Sequence, residues 1–179
     1  MIRTLIVAAI TATLAAPAAH AQATAGKAAV NDTLFATAAA LGGLAEVSLS
    51  ELGVQKATDP ELKQFSQQMI DEHRRMNNEL WTLASQKRIS LPRTVDARAQ
   101  FCAQSLAGLS GEEFDRCYAK AQHVAHMDSV AIFEAEAQRG LDPDMRALAA
   151  KGLTHIRQHL ATIKPIAMKY ERLSGNFSL

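Results

Sequence analysis

The chain has no surplus of either charge: 19 basic and 18 acidic side chains give a formal net charge of +1. No basic run breaks that balance, which argues against nucleic acid or an acidic membrane surface as a main partner. Past the N-terminus no stretch of about 18 consecutive apolar residues occurs, so no later transmembrane segment is expected. β-branched residues are few and never alternate over a useful length, which removes strand signals and leaves an all-α expectation. A Gly-rich phosphate loop and a G-x-S-x-G turn are both missing, so the common signatures of phosphoryl- and acyl-transfer enzymes are absent. Cysteine is scarce as well, with only Cys102 and Cys117.

What is present begins with a targeting pattern. Arg3 supplies a positive start, Leu5 to Ala16 is an apolar, Ala-rich run too short for a membrane anchor, and Ala19-His20-Ala21 is a small-x-small cleavage signal. Residues 1–21 are therefore expected to be a signal peptide cleaved before Gln22, with no cysteine nearby to carry a lipid. Export implies a periplasmic location, with outer-membrane association open. Removing 21 of the 179 residues leaves 158, suited to one domain with a full core. In an oxidising compartment an even pair of cysteines reads first as a disulfide. A Cys102–Cys117 bridge would stabilise by about 3 kcal/mol in the chain-entropy model; the alternative is two free buried thiols.

Residues 22–30 are small and polar and read as a disordered terminus, with a bundle domain over 31–173. The first helix starts near Asp32 and carries Phe35, Ala39, Gly42, Glu46, Leu49 and Gly53 on one face, fading around Ala57. Gly42-Gly43 permits close approach of another helix. The second opens with Asp59-Pro60-Glu61 and shows the stripe Leu62, Phe65, Met69, His73, Met76, Leu80, Leu83 before Leu91-Pro92. A connection over 93–109 has some helical character and carries Cys102. The third helix opens with the capping box Ser110-Gly-Glu-Glu113, runs through Phe114, Tyr118, Ala125, Ile132 and Phe133, and stops at Gly140. The fourth repeats the Asp-Pro opening at Asp142-Pro143, with Met145, Ala149, Gly152, Ile156, His159, Ile163, Ile166 and Tyr170 on its stripe and a kink expected ahead of Pro165. The expected architecture is a four-helix bundle with a disulfide-tied connection between the second and third helices.

Four polar residues interrupt these apolar stripes. His73 and His159 sit mid-stripe on the second and fourth helices, His126 lies beside Val130 and Phe133 on the third, and Glu46 breaks the first. Each helix thus sends one inward group toward mid-bundle. A buried imidazole or carboxylate without a partner is expensive, so the four are expected to satisfy one another or to bind something between them. Three neutral imidazoles and a carboxylate suit zinc, iron or copper. The competing reading is a metal-free envelope protein in which the same residues form a buried His–Glu hydrogen-bond network and function lies in contacts with an envelope partner or a second copy. His123 and His155 lie nearer the polar flanks and are left outside the first set, and Asp128 could add a second carboxylate. Met69 and Met76 share the His73 stripe, a pattern that could favour Cu(I) but is more often core filling. Acidic pairs such as Asp71-Glu72 read as solvated-face charges, and no catalytic set emerges.

Leu41-Gly-Gly-Leu-Ala-Glu-Val47, Phe65 through Met69-Ile-Asp-Glu-His73, Leu91-Pro92, Phe114-Asp115 with Tyr118, His126 through Phe133, and His159-Leu160 together resemble the bacterial family called domain of unknown function 4142. The resemblance covers about residues 31–170. It implies an exported protein, often labelled as an outer-membrane one, with a ferritin-like bundle and no firm activity. A di-iron carboxylate bundle carries E-x-x-H on two helices. The residues three before His73, His126 and His159 are Ile70, His123 and Ile156, so ferroxidase-type chemistry is not expected.

Overall fold

The computed structural model describes residues 28–175, so the expected signal peptide and positions 22–27 lie outside the described residues. Within them the chain forms five helices and no strand: α1 (Asp32–Lys56), α2 (Pro60–Gln86), α3 (Ala97–Ala107), α4 (Gly111–Arg139) and α5 (Pro143–Gly175). The count of four is therefore corrected to five, because the long connection carries a helix of its own. Asp96 caps α3 by accepting from the Ala99 N–H at 2.8 Å. Leu106 is the one buried residue of α3, so no apolar stripe advertises this helix in the sequence.

Local chemistry sets the other boundaries. Asp59 accepts from the Glu61 N–H and Asp142 from those of Asp144 and Met145, each just ahead of a proline in the first turn. Asn31, not Asp32, caps α1, accepting from Thr33 and Leu34. Asp32 instead accepts from the Leu141 and Asp142 N–H groups, tying the start of α1 to the α4–α5 turn. Ser110 makes no side-chain capping bond, so the expected capping box does not form; the chain enters α4 through Gly111 at φ 58°, a backbone setting open to glycine. Helix α5 continues through Pro165.

The disulfide expectation is overturned. Cys102 on α3 and Cys117 on α4 are both free, and both pack, partly buried, against one apolar cluster. A buried thiol behaves as a small apolar side chain. Burial also pushes the Cys102 thiol up, which disfavours the thiolate that disulfide chemistry needs.

Helix α1 packs along α2 and α4 along α5; these hairpins meet through α1–α4 and α2–α5, while α3 lies against α1 and α4. Helix α1 is long and apolar enough to cross a membrane by length and composition, and 44% of its most apolar window is buried in the protein. That buried face includes Phe35, Ala39, Leu49 and Gly53.

The core comes in two halves. One cluster gathers Leu49, Leu62, Phe65, Met69, Phe114, Tyr118, Ile163 and Ile166. The other gathers Phe35, Leu80, Phe133, Met145, Leu153 and Ile156. Each long helix contributes to both, and on each a buried polar residue falls between its two contributions: Glu46 on α1, His73 on α2, His126 on α4 and His159 on α5. At about 1.5–3 kcal/mol per fully buried large apolar side chain, the two halves supply the stability that lets a polar layer exist between them.

Candidate metal centre

Helical periodicity places the three histidines. His73 is four residues beyond Met69 and seven before Leu80, so it shares their inward face; His159 stands midway between Ile156 and Ile163, and His126 follows Gln122 by four. All are nearly wholly buried, at 5%, 1% and 1% exposure for His73, His126 and His159. Their rings form a triangle with centroid separations of 5.9 Å (His73–His126), 5.3 Å (His73–His159) and 5.4 Å (His126–His159). One ring nitrogen from each lies within 4.8 Å of the other two.

The outer nitrogens of two rings are anchored. His126 Nδ1 lies 2.8 Å from the Gln122 carbonyl oxygen, and His159 Nε2 lies 2.7 Å from Glu72 Oε2. A carbonyl and a carboxylate only accept, so both nitrogens carry the proton. In the neutral form of each ring the lone pair then sits on His126 Nε2 or His159 Nδ1. Those two atoms, with His73 Nε2, are buried and without a hydrogen-bond partner. Donation of the remote ring N–H to a carbonyl or carboxylate is the arrangement that fixes tautomer and ring orientation in metal-ligating histidines.

Burial disfavours charge on two of the rings. Burial drives the His73 imidazole well below its ordinary pKa, and His126 and His159 push the same way. Burial also lowers His159, against the opposing pull of Glu72. Burial alone would raise Glu72, but its hydrogen bonds from His159 and Gln68, with His155 nearby, hold it below the usual carboxylate range. His155 Nδ1 lies 3.6 Å from Glu72 Oε2 on the more exposed side.

Glu46 is in the layer but not in the triangle. Its Oε1 lies 3.8 Å from His126 Nδ1, on the anchored side of that ring, and its Oε2 is buried without a partner. Burial raises its carboxyl, with His126 and Gln122 opposing. Asp128 is at the surface, 3.9 Å from Arg98. Met69 fills the first apolar cluster and Met76 packs on the second, so neither completes a ligand set. Glu72 is the residue that sequence reasoning passed over. It sits in an acidic pair that looks solvated, and its partner is 87 positions away; the available signal was an acid directly beside an inward histidine. Gln122 acts through its backbone carbonyl, which no side-chain pattern reveals.

Below the layer, the Gln122 amide donates to Tyr118 Oη at 3.3 Å and Ser50 Oγ at 3.4 Å, and Tyr118 Oη pairs with Ser66 Oγ at 2.7 Å. Burial, above all, pushes the Tyr118 phenol up to about 12. The first apolar half thus has an internal polar brace reaching the base of the histidine layer.

The sequence matches the family described as Domain of unknown function (DUF4142) over residues 16–166. The chain belongs to this family. No curated protein matches it. Among solved structures, a DUF305 fragment from Deinococcus radiodurans superposes with a TM-score of 0.68 at 10% identity, covering 79% of this chain and 99% of that one. A conserved hypothetical protein from Mycobacterium tuberculosis superposes with a TM-score of 0.52 at 12% identity, covering 79% and 96%. At such identities the likeness speaks for the helical fold alone. For this DUF4142 chain the three buried histidines are a group that could hold a metal ion.

Proposed function

We propose that this protein is an exported, periplasmic metal-binding bundle that holds one transition-metal ion through His73, His126 and His159, with Glu72 and the Gln122 carbonyl orienting two of the ligands. The observation that carries the reading is three buried histidines from three helices, each with a ring nitrogen that has no partner and each able to bring a ring nitrogen within 4.8 Å of the others. Tetrahedral bonds of about 2.0–2.1 Å set ligand nitrogens about 3.4 Å apart, so small ring movements from separations of at most 4.8 Å close the site. Neutral imidazoles suit zinc, iron and copper and do not suit magnesium or calcium. Three protein ligands leave a fourth position for water or an exogenous group, the arrangement of an open rather than a purely structural site.

A hydrogen-bond network without metal uses the same two anchors but leaves all three inward nitrogens unsatisfied. Each buried nitrogen left without any partner costs about 1–3 kcal/mol, a penalty that a bound ion would remove.

The test is elemental mass spectrometry on untagged protein purified without chelator from periplasm, with the mature N-terminus read in the same preparation. Close to one transition-metal ion per chain, lost in each of His73→Ala, His126→Ala and His159→Ala, is the expected result, together with a start at Gln22. Metal content that is negligible after challenge with zinc, iron and copper, or that is unchanged in all three variants, overturns the metal reading. An intact N-terminus overturns export by a cleaved signal.

A further inference from the structure

Beside the histidine layer lies a cleft of about 610 Å3 lined by residues of all five helices. Its wall is mainly apolar, with Leu41, Leu49, Met76, Val124, Ile132 and Ile156 among its residues. Gly42 also lines it, and a Cβ added there would meet nothing within 4 Å. Its neighbour Gly43 sits hard against the Asn77 amide, so of the expected close-packing pair only one glycine is used for packing. The other faces open space.

Two partly satisfied polar groups line the same cleft: Glu46, 3% exposed, and His73, 5% exposed. Glu46 Oε2 has no hydrogen-bond partner. Apart from Glu46, the cleft is lined by four basic residues (Arg75, Arg98, Lys120, Lys151) and four acidic ones. Some of these already pair across it: Lys151 with Glu79 at 2.7 Å and Arg98 with Asp128 at 3.9 Å. With Glu46 counted, five acidic residues face four basic ones, so the lining offers no excess of positive charge to select an anion. Size, apolar wall and a few convergent polar groups are the attributes of a small-molecule pocket.

We propose that this cleft binds a neutral, largely apolar small molecule bearing a hydroxyl group, with the apolar body against α1 and α4 and the hydroxyl on the Glu46 carboxyl. A hydroxyl both donates and accepts, so it satisfies that carboxyl whichever proton the carboxyl carries. A carboxylate would enter an apolar cleft with no excess of positive charge, leaving its own charge uncompensated. The cleft shares His73 with the three-histidine group, but the hydroxyl's place on Glu46 does not require a metal.

The experiment uses chelator-treated full-length mature protein, so that its outcome does not depend on the metal reading. Binding of 1-naphthol, naphthalene and 1-naphthalenesulfonate is measured by calorimetry or ligand fluorescence. The expected order has 1-naphthol tightest, about tenfold over naphthalene, as one well-made buried hydrogen bond gives, and the sulfonate weakest. Glu46→Leu should remove the advantage of naphthol over naphthalene, and Glu46→Gln, which still donates and accepts, should retain most of it. Gly42→Phe fills open space from a helix interior, keeps the fold as judged by circular dichroism, and should weaken both neutral ligands at least tenfold. Absence of naphthol binding, equal binding of naphthol and sulfonate, an undiminished naphthol advantage in Glu46→Leu, or unchanged binding in folded Gly42→Phe each overturns the proposal.

Discussion

Replacing His73 with leucine should change stability in opposite directions with and without metal. The His73 ring is 5% exposed, its Nε2 has no partner, and its neighbours along α2 are the apolar Met69 and Leu80. Leucine has a similar volume and asks for no hydrogen bond. In chelator, the substitution removes one unsatisfied buried polar group, a gain of roughly 1–3 kcal/mol. For a domain of this size that is a rise in Tm of about 2–12 °C. With metal at a hundred times its Kd, the native protein gains about 2.7 kcal/mol by linkage, or about 5–11 °C, and the variant, missing a ligand, gains little of it. Thermal melts followed by circular dichroism at pH 7.5, with chelator and then with zinc, read both numbers on the same samples. If His73→Leu lowers Tm by the same amount in both conditions, the imidazole was stabilising the fold through bonds of its own, and the argument from orphaned nitrogens fails.

Other outcomes follow from the rest of the fold. Glu136 is fully buried, and burial, with Asp32 beside it and against the pull of Arg146, pushes its carboxyl up to about 7. A raised carboxyl favours the protonated form in the folded state. Its contribution is therefore complete below the ordinary value of about 4.5 and is lost, up to about 3 kcal/mol, as pH rises to 7. Urea melts from pH 5 to 8 should show Glu136→Gln gaining on the native protein as pH rises; a constant difference would refute the shift. Arg88 closes α2 at φ 59°, with Ile89 N–H on the Ala84 carbonyl at 2.8 Å. Glycine suits that left-handed position, so Arg88→Gly should stabilise by about 0.5–1 kcal/mol in chemical denaturation. Gly42→Ala should gain about 0.5–1 kcal/mol, since nothing opposes the new methyl. Gly53→Ala should lose about 1–3 kcal/mol, because its Cβ would fall 2.5 Å from the buried Tyr118 ring. Matching changes in the two glycine variants would contradict the packing described.

What could be read from sequence was what repeats along a helix. The Asp-Pro openings at Asp59 and Asp142 are local devices, and they mark the starts of α2 and α5. Three-and-four spacing put His73, His126 and His159 on inward faces at similar heights. Spacing gives face and height but not which edge of a ring points where. Glu46 was expected among the ligands for that reason, and it stands instead on the Nδ1 side of His126. Helix α3 has one buried residue and so no periodic signature. The disulfide was inferred from compartment and count, neither of which says where two helices will aim their cysteines. Glu72 shows the same limit: its role comes from a contact between α2 and α5 that no local pattern encodes.

The placement of the polar layer is itself an argument about purpose. The apolar halves agree with the stripes and with the Asp-Pro helix openings of α2 and α5. Between the halves Glu46, His73, His126 and His159 each leave a buried atom unpaired, half of the unpaired buried side-chain atoms among the described residues; Trp81, Gln122 and Glu136 hold the others. A sequence under pressure for stability alone would resolve such a layer with four apolar side chains, since the helices already present the right faces. Disagreement between local rules and the fold is expected where a site is held ready for something else. Here it is held from both sides: the Gln122 carbonyl and Glu72 fix two rings, and the apolar halves hold the helices that carry all three. Anchored rings and partnerless inward nitrogens are together what the proposed metal would use: an ion bound there would supply a missing partner to each of the three histidines.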